Sequence, residues 1–252
     1  MRVVLLCAGK WTRILPFTKI LPKEMLPIGD KPLLHHSLDN FRKNEINDFL
    51  FVLSENKTLI REYFSYSDNI YNNKWISELN ELINESKIDF VNDKYKWTGW
   101  SLLCAKDEID ENYFMLVFGD MYISSENIQN MLKIHNDTGS MVILINKVDK
   151  SYRANYKETI IWDDAKIKSL LVDPDKESLD DMDMVWWIFI LHRDIFVEIA
   201  GRIDLEDIEK EVGVVRPIEN MLKHHDIYAY KTEWWIYDIW NIDERKKAFI
   251  NF

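Results

Sequence analysis

Short apolar runs separated by amphipathic stretches set the tightest limit on how this chain can fold. The runs are 2–7 (RVVLLC), 48–53 (DFLFVL), 88–91 (IDFV), 114–118 (FMLVF) and 140–147 (SMVILINK), each four to eight residues long. Between them, apolar side chains recur at helical spacing: Leu33, Leu34, Leu38 and Phe41; Ile60 and Tyr63-Phe64; Ile76, Leu79 and Leu82-Ile83; Ile128, Met131-Leu132 and Ile134. Strands that are apolar throughout are buried on both faces, and helices between them supply the cover. The pattern therefore predicts an α/β fold, a Rossmann-like, mostly parallel mixed sheet with helices on both faces. From 158 onward strand-like runs crowd together (158–161, 167–172, 184–191), followed by a helix near 214–224 and strands within 226–238. With no internal repeat, low-complexity tract or Pro/Gly/Ser linker, residues 1–252 read as one domain whose halves, about 1–150 and 151–252, share a sheet.

A chain of 252 residues buries a core without disulfide staples. Its 32 Lys+Arg against 43 Asp+Glu leave a net charge of −11, and no basic arm or stripe is present, so nucleic acid is excluded as the main partner. The longest apolar run, Val3 to Cys7, falls far short of the roughly 20 residues that span a bilayer, so no membrane association is expected and the chain reads as cytoplasmic. Cys7 and Cys104 lie in apolar segments without metal-type spacing and read as buried, reduced thiols.

The connection from Ala8 to Pro27 is the chemically loaded segment. Twenty residues between a buried strand and the next helix are unusual in a compact domain unless they serve a function. The segment leaves the carboxyl end of the first strand, where open α/β sheets bind ligands. It offers a small-residue turn at Ala8-Gly9, a hydroxyl at Thr12, cations at Arg13 and Lys23, and stiffening prolines at 16, 22 and 27. Fixed cations combined with backbone N–H groups are what a polyphosphate requires.

Over positions 8–33 the wording Ala8-Gly9-Lys10-Trp11-Thr12-Arg13, Pro16, Thr18, Pro22-Lys23-Glu24-Met25-Leu26-Pro27 and Lys31-Pro32 resembles the signature A-G-x-G-T-R-x-x-P-x-T-x-x-x-P-K-x-x-L-P of the sugar-1-phosphate nucleotidylyltransferases. Its Lys-Glu-Met-Leu-Pro-Ile wording is most similar to the UTP:glucose-1-phosphate uridylyltransferases. Lys96-Trp97-Thr98-Gly99-Trp100-Ser101-Leu102 resembles the family segment that lies against the base. Phe118-Gly119-Asp120 and Trp235 to Asn241 resemble its two aspartate segments.

The resemblance implies the nucleotide-diphospho-sugar transferase fold, with a nucleotide-binding first half and a sugar-phosphate second half. It also implies attack by a sugar 1-phosphate, glucose 1-phosphate foremost, on the α-phosphorus of an NTP, UTP or dTTP foremost, with release of pyrophosphate. Arg13 and Lys23 would take the triphosphate. Ala8, Gly9, Trp11, Thr12, Asn92, Thr98 and Gly99 would line the nucleotide site, with Asn92 where many relatives have a base-reading Gln. Asp120 and Asp238 would hold Mg²⁺, hard oxygen donors for a hard cation. Trp187 and, as a stand-in for a lysine missing from Leu171-Val172-Asp173-Pro174-Asp175-Lys176, Lys176 would serve the sugar phosphate. A cytidylyltransferase acting on a phosphomonoester such as phosphocholine, and a non-catalytic nucleotide-binding regulator, are the alternatives.

His35-His36 and His224-His225, adjacent pairs on expected helices, diverge by about 100° and read as packing or surface residues. The acidic stretch Asp173 to Asp183 reads as a solvated loop.

The glycine and tryptophan counts are abnormal. The chain has 7 Gly, where average usage of about 7% predicts roughly 18, and 10 Trp. Trp11, Trp97, Trp100, Trp187 and Trp240 stand where the family motifs have Gly, and Trp186 stands where some relatives have a second one. Either the pocket is filled with aromatics and inactive, or UGA codons are read as glycine in the source and were translated as tryptophan. The second reading explains the deficit, the excess and the positions together.

Overall fold

The computed structural model describes residues 1–9, 18, 20–65, 74–94, 97–147, 158–172, 183–202, 213–232 and 237–238. In chain order the elements are β1 (Val3–Leu6), a 3-10 turn (Lys23–Met25), β2 (Pro27–Ile28), β3 (Lys31–Pro32), α1 (Leu33–Arg42), β4 (Asp48–Leu53), α2 (Thr58–Ser65), α3 (Lys74–Glu85) and β5 (Lys87–Asn92). Then follow α4 (Thr98–Leu103), β6 (Tyr113–Phe118), β7 (Met121–Tyr122), α5 (Ser125–Thr138) and β8 (Met141–Asn146). The last are β9 (Glu158–Asp163), β10 (Lys166–Val172), β11 (Asp183–His192), α6 (Ile195–Ala200), α7 (Val215–Met221), β12 (Ile227–Lys231) and β13 (Tyr237–Asp238).

Nine strands form one sheet in the order β5-β4-β1-β6-β11-β8-β12-β10-β9. β5, β4, β1 and β6 are mutually parallel, and β8 and β12 are parallel to each other. β11 runs antiparallel to both β6 and β8, and β10 antiparallel to β12 and β9, so every strand but β11 and β10 points the same way. The expected mostly parallel mixed sheet is therefore the one observed. β11 enters between β6 and β8 and brings residues from late in the chain into the centre of the sheet.

Alternation along each strand divides the core between two faces. Val3 and Leu5 of β1 pack with α1 (Leu34, Leu38, Phe41), α2 (Ile60, Phe64), α3 (Leu79, Leu82) and α5 (Ile128, Met131). Val4 and Leu6 pack with α4 (Leu102), α6 (Ile195, Phe196, Ile199) and α7 (Val215, Ile218, Met221). Both faces of β1 are sealed, which is why its sequence shows no polar alternation. α5 has a sequence-legible start and stop. The Ser124 hydroxyl accepts from Asn127 N–H, and Gly139 closes the helix at φ 63°, a left-handed position that costs a residue with a Cβ about 1–2 kcal/mol.

Three local expectations are corrected. α7 ends at Met221, so His224 and His225 lie in the turn that follows, not on a helix. Cys104 is half-buried, whereas Cys7 is fully buried as expected. Asp183, the end of the presumed solvated acidic stretch, is buried and opens β11. No helix among the described residues is long and apolar enough to cross a membrane.

Candidate active site

β1 and β6 end side by side and set the floor of the site. The Gly119 N–H donates to Leu6 O at 2.9 Å, and the Cys7 N–H extends the ladder to Val52 O at 2.9 Å. A Cβ on Gly119 would lie 2.3 Å from Cys7 Sγ, 3.1 Å from Glu24 Cγ and 3.3 Å from the Leu6 carbonyl oxygen. Glycine is thus required here by close approach of three segments, not by its dihedral angles. Burial, and then the negative charge of Glu24, push the Cys7 thiol well above its ordinary range, so it is a packing group and not a nucleophile.

The 3-10 turn hangs over this floor. Pro22 supplies a fixed φ of −53° at its start, Met25 N–H donates to Pro22 O at 2.9 Å, and the Met25 side chain is driven into the core beside β1. That anchor forces its two charged neighbours inward. Lys23 Nζ donates to Asp120 Oδ2 at 2.6 Å, and Lys57, from the segment after β4, donates to Glu24 Oε1 at 2.6 Å. Glu24 is fully buried and Lys23 is 7% exposed, so both pairs are desolvated and the attraction within each is stronger than at a surface.

Asp120 sits in the turn between β6 and β7, and β7 pairs antiparallel with β13. In that register the Asp238 backbone stands opposite Met121, the residue after Asp120. Two aspartates 118 residues apart in sequence are therefore brought to neighbouring backbone positions. For Asp238 the structure describes the backbone.

Other expected residues lie on the same edge. Ala8 is buried and Gly9 exposed at the exit of β1. Asn92 is exposed at the end of β5, where the Arg61 guanidinium donates to its Oδ1 at 3.2 Å while lying 4.7 Å from the Phe90 ring centre. Thr98 and Gly99 open α4, a short helix the apolar pattern did not reveal, and Ser101 Oγ ties it to the exit of β5 by donating to Asp93 Oδ2 at 2.7 Å. Trp187, half-buried on β11, leans on Phe118 with ring centres 4.9 Å apart, immediately before Gly119-Asp120. The β11–β8 register shifts between Val185 and Phe189, a bulge that carries this tryptophan. Trp97 precedes α4, and its buried Nε1 has no hydrogen-bond partner. Arg13, Trp11, Thr12, Lys176 and Trp240 lie outside the described residues.

Two features of this edge were not read from the sequence. Lys57 was missed because its carboxylate partner comes from a distant segment. The other is Lys231, at the end of β12, which donates to Asp183 Oδ2 at 2.9 Å, while Trp162 Nε1 donates to the same oxygen at 2.9 Å. A lysine closing an apolar strand was the available signal.

A family model described as nucleotidyl transferase matches residues 2–241. The chain is 27% identical to a UTP–glucose-1-phosphate uridylyltransferase of Staphylococcus epidermidis, over 94% of this chain and 87% of the relative. It is 26% identical to a UTP–glucose-1-phosphate uridylyltransferase 2 of Staphylococcus saprophyticus, over 94% and 86%. It superposes on a UDP-glucose pyrophosphorylase complexed with UDP-glucose with a TM-score of 0.85 at 23% identity, covering 99% of this chain and 97% of that one. On a UDP-glucose pyrophosphorylase from Acinetobacter baumannii the TM-score is 0.84 at 20% identity, covering 99% and 92%. The last two similarities establish a shared fold.

Proposed function

We propose that this chain, which belongs to the nucleotidyl transferase family, moves a nucleotidyl group from an NTP to a sugar 1-phosphate, with UTP and glucose 1-phosphate as its pair and dTTP the next candidate. The observation that carries the residue assignment is the desolvated Lys23–Asp120 pair at the joined ends of β1 and β6.

The reaction needs no protein nucleophile. A phosphate oxygen of the sugar 1-phosphate attacks the α-phosphorus as the bond to pyrophosphate breaks, so the protein must align two polyanions and offset charge that grows on the leaving group. Lys23 is assigned to the triphosphate. Its ammonium already rests in a site where a cation is held by a carboxylate, and its flexible stem lets it exchange Asp120 for a phosphate oxygen. Arg13 is assigned to the departing pyrophosphate. Ala8, Gly9, Thr12, Thr98 and Gly99 are assigned to the nucleotide, and Asn92 to the base edge. For the sugar phosphate, Lys231 joins Trp187 and Lys176 as a candidate, since β12 ends on the same edge.

Asp120 suits a divalent cation. It offers carboxylate oxygens, it is already bound to a positive charge, and the backbone register brings a second aspartate, Asp238, beside it. Asp120 and Asp238 are the residues that would hold Mg²⁺, which when bound neutralises phosphate charge between the substrates.

The tryptophans decide whether the chain as written is active. An indole at 187 leans on Phe118, two residues before Asp120, and the unpartnered Trp97 N–H costs about 1–3 kcal/mol of desolvation. The misfit at 97, together with the glycine deficit and tryptophan excess, supports glycine at 11, 97, 100, 187 and 240, encoded by UGA. UGG codons at those positions in the coding sequence overturn that reading and leave the non-catalytic regulator. The enzymatic test incubates two proteins, the chain as written and one carrying Trp11→Gly, Trp97→Gly, Trp100→Gly, Trp187→Gly and Trp240→Gly. Each is given every NTP with glucose 1-phosphate, other sugar 1-phosphates and phosphocholine, and pyrophosphate is measured. Release from UTP and glucose 1-phosphate by the glycine form is expected. Release with CTP and phosphocholine alone replaces this reading with the cytidylyltransferase.

A further inference from the structure

At the opposite edge of the sheet, the structure assigns a second metal site, of transition-metal type, to His192, Asp194 and His225. His192 ends β11, Asp194 immediately precedes α6, and His225 lies in the turn between α7 and β12. His192 Nδ1 approaches Asp194 Oδ2 at 3.1 Å and His225 Nε2 approaches the same oxygen at 3.0 Å. One ligand atom from each of the three residues lies within 4.8 Å of the others. Ligands held at about 2.0–2.1 Å in a tetrahedron stand roughly 3.3 Å apart, so a bound ion needs only small side-chain rotations.

Two further observations separate this cluster from an ordinary surface ion pair. Asp194 occupies the N-cap of α6, yet its side chain makes no capping hydrogen bond and turns to the histidines instead. The rings are also preset. Tyr113 meets His192 edge-on at 4.9 Å, its hydroxyl is fixed by donating to Gly139 O at 2.7 Å, and the His192 and His225 ring centres are 4.6 Å apart. A cleft of about 450 Å³, whose lining includes His225, His224, Lys223 and Asp226, opens beside the third ligand and gives solvent access to it.

Two imidazoles and one carboxylate suit Zn²⁺, Co²⁺ or Ni²⁺ and not Mg²⁺, which demands oxygen ligands. Such an ion would fasten the β11–α6 turn to the α7–β12 turn, segments 31 residues apart in sequence.

The test uses the full chain, stripped with a chelator and titrated with Co²⁺ in excess Mg²⁺ to occupy oxygen-ligand sites. One equivalent of Co²⁺ with visible d–d bands of low coordination number is expected. Zn²⁺ at hundredfold excess over its Kd should raise Tm by roughly 5 °C or more. His225→Ala and His192→Gln should weaken Co²⁺ binding by more than the roughly 10–100-fold that loss of an outer partner costs. His224→Ala, in the same cleft, and Asp120→Asn, at the other edge, should leave it intact. Circular dichroism and metal-free Tm establish that each variant is folded. No Co²⁺ uptake by the parent, or parental affinity in folded His225→Ala, overturns the proposal. Loss on Asp120→Asn moves the ion to the other edge and overturns it equally.

Discussion

The two edges of the parallel strands each bury a cation, and they use it in opposite ways. At the amino-terminal edge Arg2, 4% exposed, is clamped from several directions: its Nε lies 3.1 Å from Asp48, its Nη1 donates to Glu108 O at 2.6 Å, and its Nη2 donates to Asp89. At the carboxyl-terminal edge Lys23, 7% exposed, lies against Asp120 on a stem of four methylenes. A planar fork with fixed partners on three sides is a strut. A compact ammonium on a rotatable stem can trade one oxygen for another without disturbing the backbone. Depth of burial therefore does not distinguish a structural charge from a working one; the stiffness of the charged group does.

The largest effect expected is at the working edge. Asp120→Asn or Asp238→Asn should lower turnover by several orders of magnitude, equivalent to about 4 kcal/mol or more in the barrier, in proteins that still fold, although Asp120→Asn should melt earlier because it weakens the desolvated pair with Lys23. Pyrophosphate release and thermal melts on the same samples check both halves of that statement. A variant that melts early and turns over normally would make Asp120 a strut like the Arg2 clamp.

Acid should undermine the protein behind the working edge. His35 on α1 is buried, and that burial pulls its pKa down to about 4, against the pull of Asp39. The unfolded imidazole titrates near 6.5, so between about 6.5 and 4 the unfolded chain holds more protons. The stability is complete above 6.5 and drains as pH falls, by as much as about 3 kcal/mol once both forms are protonated. Urea titrations across this range should show that slope, and His35→Gln should flatten it.

Arg2→Met should cost about 2 kcal/mol of stability, below the roughly 3–5 of a fully buried pair, because the Asp89 side chain is 40% exposed and water screens it. Its kcat should stay within about twofold of the parent, a direct contrast with Asp120→Asn. Asn92→Ala should have the smallest effect on kcat. It is exposed and its Oδ1 already serves Arg61, so a raised KM for the NTP with little change in kcat is expected, whereas Arg13→Ala should depress kcat itself.

Much of this is legible in the sequence alone. The strand runs 48–53 and 114–118 coincide with β4 and the last five residues of β6, since a strand covered on both faces must be apolar throughout. Lys23 and Asp120 were readable because each sits in a distinctive local wording. α4 and α6 escaped because six residues are too few for a helical period to emerge. The Glu24–Lys57 pair and the meeting of His192 with His225 were invisible for another reason: both depend on sheet order, which local sequence does not encode. The place of β11 belongs to the same class.

That place has a consequence for biosynthesis. β8 has β11 on one side and β12 on the other, both of which come later in the chain, and β6 gains its second neighbour only from β11. On a ribosome, then, β8 waits unpaired and β6 keeps a bare edge until residue 192 has cleared the exit tunnel. An apolar, unpaired edge is a template for another chain's strand. Slowing translation between β8 and β11 would lengthen this exposure, so the yield of soluble protein should depend on how quickly those residues are delivered and on which chaperones meet them first.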